Sequence, residues 1–287
     1  QQGKHVAIEV PAAMTLEEIW DLINTSEQTR KHCIQLENCV YDFFEMTTLN
    51  MAQQGLFGEI LHVEGSYIHY LEEFWPYYYN NWRLNYNNEH RGDVYPTHGI
   101  GPACQLLNIH RGDRMKTLVS MDTKSVNGKK FAKKYGVKDK EQEFQNGDHT
   151  LSLIQTENGK TLHIQHNVMT PRPYSRMYQL TGTEGFANKY PIEQYCFQPT
   201  NIDSTIIPDH EQVGGHGGMD FIMDWRLIYC LQNGLPLDMD VYDLAEWCSI
   251  IELSRLSIEN GNMPVEVPDF TRGYWNLQKG YKHAFVK

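Results

Sequence analysis

Three short stretches of this sequence place reactive side chains where backbone geometry would sharpen their chemistry. The first couples Glu9-Val10-Pro11, at the end of one apolar run, with Glu37-Asn38 at the end of a second. If both runs are parallel strands, these residues sit at carboxyl ends, where open α/β sheets bind ligands. The second stretch is Tyr95-Pro96-Thr97-His98, followed by Gly99 and a helical pattern. A helix N-terminus sets free N–H groups and partial positive charge beside His98, which favours a neutral imidazole able to accept a proton. The plainer alternative is that Thr97 caps the helix and His98 packs. The third stretch is Gly214-Gly215-His216-Gly217-Gly218-Met219-Asp220, again before a helix. Glycines around one histidine let backbone approach a ligand closely, or make a tight turn where two domains meet.

Residues 72–98 are crowded with Trp75, Tyr77, Tyr78, Tyr79, Asn80, Asn81, Trp82 and Arg83 and show no periodicity, so a long loop is expected. Flat rings for C–H stacking and bidentate donors for hydroxyls suit a sugar, and they equally suit a subunit contact. Other chemistries find no foothold. There is no H-E-x-x-H, G-x-S-x-G, G-x-G-x-x-G or phosphate-loop motif. None of the 13 histidines has metal-ligand spacing on an expected helix, so no metal site is expected. His62 and His69, seven apart on one strand pattern, face opposite sides. His110-Arg111 beside Gly112-Asp113 reads as a turn.

The elements that must position these residues fall into two textures. His5–Val10 is a buried-strand pattern. Thr15 looks like an N-cap for a helix to about Arg30, and His32–Glu37 is a second strand. A second helix spans about Tyr41–Gln54, with Gly55 placed to end it. Strand, helix, strand, helix is α/β logic. From Glu59 onward the pattern becomes that of a largely antiparallel sheet. Strands are expected at Glu59–Tyr70, Thr117–Met121, His149–Thr156, Thr161–Val168, Met177–Gly182 and Tyr190–Phe197, with a hairpin turn at Asn158-Gly159. A helix near Gly99–Leu107 interrupts them. Two more follow, about Met219–Asn233 and Tyr242–Asn260, closed by Gly234 and Gly261. The tail from Val265 is expected to lie over the core. The fold class is therefore α/β (α+β). Residues 1–58 form a parallel βα segment, and 59–287 form an open, mostly antiparallel sheet domain flanked by helices returning at about 217–261.

Composition narrows the partners. Of 287 residues, 25 are Lys or Arg and 36 Asp or Glu, a net charge of −11, with 40% hydrophobic side chains. That acidic balance argues against a nucleic-acid backbone binder, and no apolar run reaches a membrane span. No signal peptide is visible. The lysine cluster Lys129–Lys140 is interrupted by Asp139 and reads as a solvated loop or helix face. Six scattered cysteines without a Cys-x-x-Cys pair read mostly as small buried hydrophobes, and they leave the compartment open.

The stretches GKHVAIEVPA, ENCVY, GLFGEILHVEGSYIH, YPTHGIGP, NIHRGDR, PRPYSR, GTEGFANKYP, HGGMDF and LPLDMDVYD resemble, together, glycoside hydrolase family 109. This is the NAD-dependent α-N-acetylgalactosaminidase-like branch of the Gfo/Idh/MocA oxidoreductases, and the resemblance covers nearly the whole chain. Most of the wider superfamily carries Glu-Lys-Pro at the first motif. Val10 replaces that lysine here, which removes the usual dehydrogenase base and favours the glycosidase branch. The resemblance implies an N-terminal Rossmann domain followed by the open sheet. It implies that Glu9, Val10 and Asn38 line the NAD site, with His216 and Asp220 in a motif near both that site and the sugar site. It also implies that Tyr67, Arg83, Tyr95, Pro96, Thr97, His98 and Tyr174 line the sugar site, with Tyr95 and His98 catalytic.

The implied chemistry is transient oxidation at sugar C3, proton loss at C2, departure of the C1 substituent, addition of water and reversal. An N-acetylgalactosaminide-like sugar is the expected partner. Alternatives are an NAD(P)-dependent sugar oxidoreductase or an inactive truncated sugar-binding module. The chain departs from the family in lacking the Gly-rich first βα turn and the acidic ribose residue. It is therefore expected to begin in the second half of the Rossmann domain and to bind NAD poorly alone. Its half-sheet edge is expected to be covered by a missing N-terminal segment or a second chain. Homo-oligomerisation through the open sheet is implied as well.

Overall fold

The computed structural model describes residues 2–78, 82–135, 144–197, 201–206, 215–278 and 280. It opens with β1 (Val6–Glu9) and β2 (Cys33–Leu36), paired in parallel with Val6 opposite Cys33 and Glu9 opposite Leu36. Between them runs α1 (Leu16–Thr29). Thr15 accepts from the Glu18 N–H while the Glu18 side chain reaches back to the cap, a reciprocal box that fixes the helix start. Ile19 and Ile23, four apart, are its buried stripe. After β2 comes a 3-10 turn, Asn38–Tyr41, and then α2 (Phe43–Gln53). Gly55 takes a positive φ just beyond it, as its placement after the helix suggested.

The remainder is built on one nine-stranded sheet. In chain order it contains β3 (Ile60–Ile68), β4 (Met115–Asp122), β5 (Thr150–Thr156), β6 (Thr161–Asn167) and β7 (Tyr178–Gly182). These are followed by β8 (Gly185–Asn188), β9 (Gln194–Phe197), β10 (Asn201–Ile206) and β11 (Val265–Glu266). Their order across the sheet is β10-β9-β8-β7-β3-β6-β5-β4-β11. Only β3 and β6 run parallel, His62 opposite Thr161 through Ile68 opposite Asn167; the other pairings are antiparallel. The helices are α3 (Trp75–Tyr78), α4 (Trp82–Glu89), α5 (Thr97–Leu107), α6 (Asn127–Lys134), α7 (Met219–Asn233) and α8 (Val241–Glu259). Among the described residues no helix is long and apolar enough to cross a membrane.

One hydrophobic core joins both textures: Ile19, Ile23 and Phe44 cluster with Ile100, Leu118, Ile164 and Trp247. A second, smaller core gathers Tyr67, Leu71, Trp75, Tyr95, Val168 and Met169, with Val10 packed against it. The second core is where the candidate site lies.

Several expectations change. The aperiodic segment 72–98 is largely helical, holding a 3-10 turn at Glu72–Phe74 and then α3 and α4; Tyr79, Asn80 and Asn81 lie outside the described residues. Trp75 and Tyr95 are buried in the second core and Phe74 packs against it, whereas Tyr77 is exposed, so its described rings follow no single helix face and no 3.6 period survives in the sequence. The strand expected over Tyr190–Phe197 begins only at Gln194, and β8 and β10 were not foreseen; each is short and lacks a clean alternation. The tail contributes β11, paired to β4, through Val265 and Glu266. The lysine run holds α6 over residues 127–134, while Lys138, Asp139 and Lys140 lie outside the described residues.

Candidate functional site

The site is assembled where α5 meets β2 and β3. Gly65 on β3 and Gly99 on α5 press backbone against backbone, and a Cβ built on Gly65 would run into the Gly99 carbonyl. Two glycines thus let the helix sit close enough to bring His98, its second residue, against Tyr67. The ring centroids of Tyr67 and Tyr95 are 4.9 Å apart, those of Tyr95 and His98 5.0 Å, and those of Tyr67 and His98 5.4 Å. Arg83 lies over the Tyr95 ring at 4.1 Å. The helix starts at Thr97 rather than Gly99. Pro96 occupies the N-cap position, and Thr97 is buried in the first turn instead of capping it.

His98 does not stand alone. Its Nδ1 is 2.6 Å from Oε1 of Glu37, whose side chain is fully buried at the end of β2. Cys39 joins them: one ligand-type atom from each of Glu37, Cys39 and His98 lies within 4.8 Å of the others. Burial works against a charged His98, but Cys39 and the Glu37 carboxylate outweigh it and lift its pKa to about 10. Burial likewise opposes the Glu37 carboxylate, yet His98 and the Cys39 N–H hold its pKa below the ordinary range. A neutral His98 was expected from the helix N-terminus. A carboxylate at hydrogen-bond distance outweighs that partial charge, so the pair carries its proton on the imidazole. Burial pushes the Tyr95 hydroxyl well above its usual range, with Arg83 opposing.

The expected cofactor-side residues divide. Val10 packs against the core that holds Tyr67 and Tyr95. Asn38 donates from Nδ2 to Asp220 Oδ1 at 2.6 Å, and Asp220 Oδ2 lies 2.7 Å from Nδ1 of His216. The third stretch therefore reaches the end of β2 through Asp220, as a polar edge beside His98; Gly214 lies outside the described residues. Glu9 ends β1 with its side chain exposed. Tyr174 is present: its ring meets His69 edge-on at 5.0 Å, and His69 Nδ1 is 3.1 Å from the Tyr67 hydroxyl.

Four contributors were missed by sequence reasoning. In the sequence Glu37 reads only as a neighbour of Asn38, although a glutamate closing a buried apolar strand is itself a signal, and Cys39 reads as one of the packing cysteines. Arg176, in the PRPYSR stretch, donates from Nη1 to Cys39 Sγ at 2.9 Å and from Nη2 to Asp42 at 2.8 Å. His166 is buried on β6 in phase with Leu162 and Ile164, and that polar residue in a buried alternation was a readable sign. Burial lowers its pKa to about 3, so it stays neutral. With Tyr67, Trp75, Trp82, Arg83 and Tyr95 it lines a cavity of about 10 Å³, room for about one water.

Whether these residues suit a dinucleotide can be judged at the strand ends. Val10 offers an apolar wall, and the Asn38–Asp220–His216 edge offers donors and acceptors, which suits a nicotinamide end. Among the described residues nothing forms a glycine-rich βα turn for the pyrophosphate. The fit covers one end of the cofactor only.

A short parallel βα unit followed by a wide open sheet is also the fold of solved structures described as NAD-binding oxidoreductases. The structure aligns with such an oxidoreductase from Klebsiella pneumoniae at a TM-score of 0.71 and 14% identity, covering 93% of this chain and 74% of that one. An oxidoreductase from Agrobacterium radiobacter, solved with NAD+, L-tartaric acid and magnesium, aligns at a TM-score of 0.67 and 16% identity, over 91% of this chain and 72% of that one. At such identity the likeness is one of fold.

Sequence relatives give the family. The model of the glycosyl hydrolase 109 C-terminal domain matches residues 41–203 and 205–277. The chain is 70% identical to glycosyl hydrolase family 109 protein 1 of Phocaeicola vulgatus and 67% identical to that of Bacteroides thetaiotaomicron. In each case all of this chain aligns to 68% of the relative's length. The chain belongs to glycosyl hydrolase family 109.

Proposed function

We propose that the chain is the sugar-handling part of an NAD-dependent glycosidase that acts on α-N-acetylgalactosaminides by transient oxidation and elimination. Family membership supports a glycosidase. The solved structures of like fold that carry NAD+ support the cofactor. The observation that carries the mechanism is the buried Glu37–His98 pair, seated between the polar edge at Asn38 and the Tyr67–Tyr95 rings.

Bound NAD+ supplies hydride acceptance at sugar C3; the remaining work is proton traffic and placement. Tyr95 and His98 are the proton-transfer residues, with Tyr67 or Tyr174 assisting. The charged His98 acts as donor. The protons leaving the C3 hydroxyl and C2 pass in turn through Tyr67 to His69, which lies 3.1 Å from the Tyr67 hydroxyl and is held neutral by burial, and from there to water. Glu37 fixes the His98 ring and keeps it charged, so that His98 steadies negative charge developing on the C3 oxygen as the C2 proton leaves. Arg83, stacked on Tyr95, orients hydroxyls or the N-acetyl carbonyl. Pro96 and Thr97 form the wall that sets the His98 backbone. Val10, Asn38 and His216 take the nicotinamide side, and Glu9 contributes only if its exposed side chain turns inward.

Residues 1–58 then supply the C-terminal part of the nucleotide-binding unit, and 59–287 the sheet domain. The outer sheet face shows Leu61, Met121, Leu151 and Leu153 well exposed, which supports pairing of two copies there. Replacing Met121 and Leu153 by Lys should then yield monomers in sedimentation. The test of the activity is His98→Ala with an aryl α-N-acetylgalactosaminide: turnover should fall, and normal turnover would remove His98 from the mechanism. The oxidoreductase reading, favoured by the fold neighbours, instead requires reduced nicotinamide to accumulate with free sugar.

A further inference from the structure

Glu37, Cys39 and His98 present a carboxylate, a sulfur and an imidazole nitrogen from two adjoining elements, all within 4.8 Å of one another. These are the donor types of a zinc site with an open fourth position. No spacing motif announces them, because the third donor comes from α5, 59 residues after the second. A second feature points the same way. Glu37 is fully buried, and its Oε2 has no hydrogen-bond partner, so one carboxylate oxygen is left for a ligand.

The surroundings are matched to a cation rather than set against one. Arg176 donates to the Cys39 sulfur at 2.9 Å, the kind of outer hydrogen bond that orients and stabilises a ligating thiolate. Its charge is already balanced. Arg176 and Lys189 face Asp42 and Glu45, with Lys189 Nζ 2.8 Å from Asp42 and 2.7 Å from Glu45. Two positive and two negative charges cancel there, leaving Glu37, the Cys39 sulfur and nearby Asp220 to face an incoming dication.

We infer that Glu37, Cys39 and His98 form a binding site for a soft divalent cation such as Zn²⁺, which enters in place of the proton shared by Glu37 and His98. Binding releases that proton and the thiol proton of Cys39, so no oxidant or reductant takes part. The His98 Nδ1 to Glu37 distance must open from 2.6 Å to about 3.3 Å, the spacing two donors take around a tetrahedral zinc. The cation is an inhibitor, because it holds His98 away from substrate; this consequence rests on the proposed function, whereas the binding does not.

The test is a titration of the chain with Cd²⁺ alone, followed by its thiolate-to-cadmium charge-transfer absorbance, then displacement by Zn²⁺. The absorbance should saturate at one cation per chain, in the parent and in the control Cys33→Ser. It should vanish in Cys39→Ser and require at least about tenfold more cation in His98→Gln. Circular dichroism confirms that each variant is folded, and Glu37→Gln gives a third variant should one fail. A Cys39→Ser titration indistinguishable from the parent would overturn the site, as would no saturable absorbance in the parent. If Cd²⁺ binds as described but leaves glycoside turnover untouched, the site stands and the role of His98 in the proposed function falls.

Discussion

His98 Nδ1 lies 2.6 Å from Glu37 Oε1, so the first turn of α5 is tied to the end of β2 by a buried, charge-assisted hydrogen bond. Such bonds are stronger than neutral ones and weaken steeply when either partner is changed. Glu37→Gln removes the carboxylate that favours the imidazolium. The His98 resonances should then titrate well below the pH 10 region expected for the parent, and nuclear magnetic resonance of labelled imidazole reads this directly. An unmoved titration would mean that Glu37 does not set the charge of His98.

Loss of the imidazole should cost both catalysis and folding. His98→Ala is expected to lower kcat by about 10²–10⁴-fold, the usual worth of a positioned acid or base, and to lower the urea midpoint as well, because the buried Glu37 carboxylate loses its partner. Steady-state kinetics and denaturation on the same preparation separate the two.

The close approach of Gly65 and Gly99 makes a sharp stability prediction. Gly65→Ala forces a methyl into the Gly99 carbonyl, and neither strand nor helix can retreat without losing its ladder. A loss of about 1–3 kcal/mol or more is expected from overpacking. Gly159→Ala meets nothing within 4 Å and suffers only from its positive φ, which makes it the milder control in urea unfolding.

Asp93 gives the stability a slope with pH. It is buried, accepts from the Tyr95 N–H at 3.0 Å, and burial raises its pKa from 3.8 to about 7. The folded chain therefore keeps this proton to about pH 7, whereas the unfolded chain releases it near pH 4. The contribution is full below about pH 4 and declines as pH rises through 7, by an amount on the order of a few kcal/mol. Asp93→Asn should flatten urea-midpoint profiles between pH 5 and pH 7.5 relative to the parent, and an unchanged slope would assign it elsewhere.

Much of this arrangement is legible in the sequence. Thr15 with Glu18, Gly55, Gly234 and Gly261 bound their helices close to where cap chemistry placed them, because caps are local. The parallel β1–α1–β2 unit and the sheet that follows were carried by apolar runs and turns. The Tyr95-Pro96-Thr97-His98 stretch was singled out for the same local reason. What could not be read is pairwise and distant. His98 meets Glu37 across 61 positions, and Arg176 meets Cys39 across 137. The charge of His98 follows from such a partner and not from its own helix, which is why the neutral imidazole was the wrong inference. The helices in residues 72–98 are hidden because the rings of this segment divide between the second core, as Trp75 and Tyr95 do, and solvent, as Tyr77 does, rather than marking one helix face.

In the proposed reaction a sugar handled by this site is oxidised only in passing. The decisive measurement is turnover of an aryl α-N-acetylgalactosaminide by the NAD⁺-supplied protein in heavy water, following aglycone, reduced nicotinamide and deuterium at C2 of the released sugar together. The prediction is aglycone release with deuterium at C2 and no net gain of reduced nicotinamide. Aglycone released with C2 still fully protonated, or reduced nicotinamide accumulating without aglycone, would contradict it.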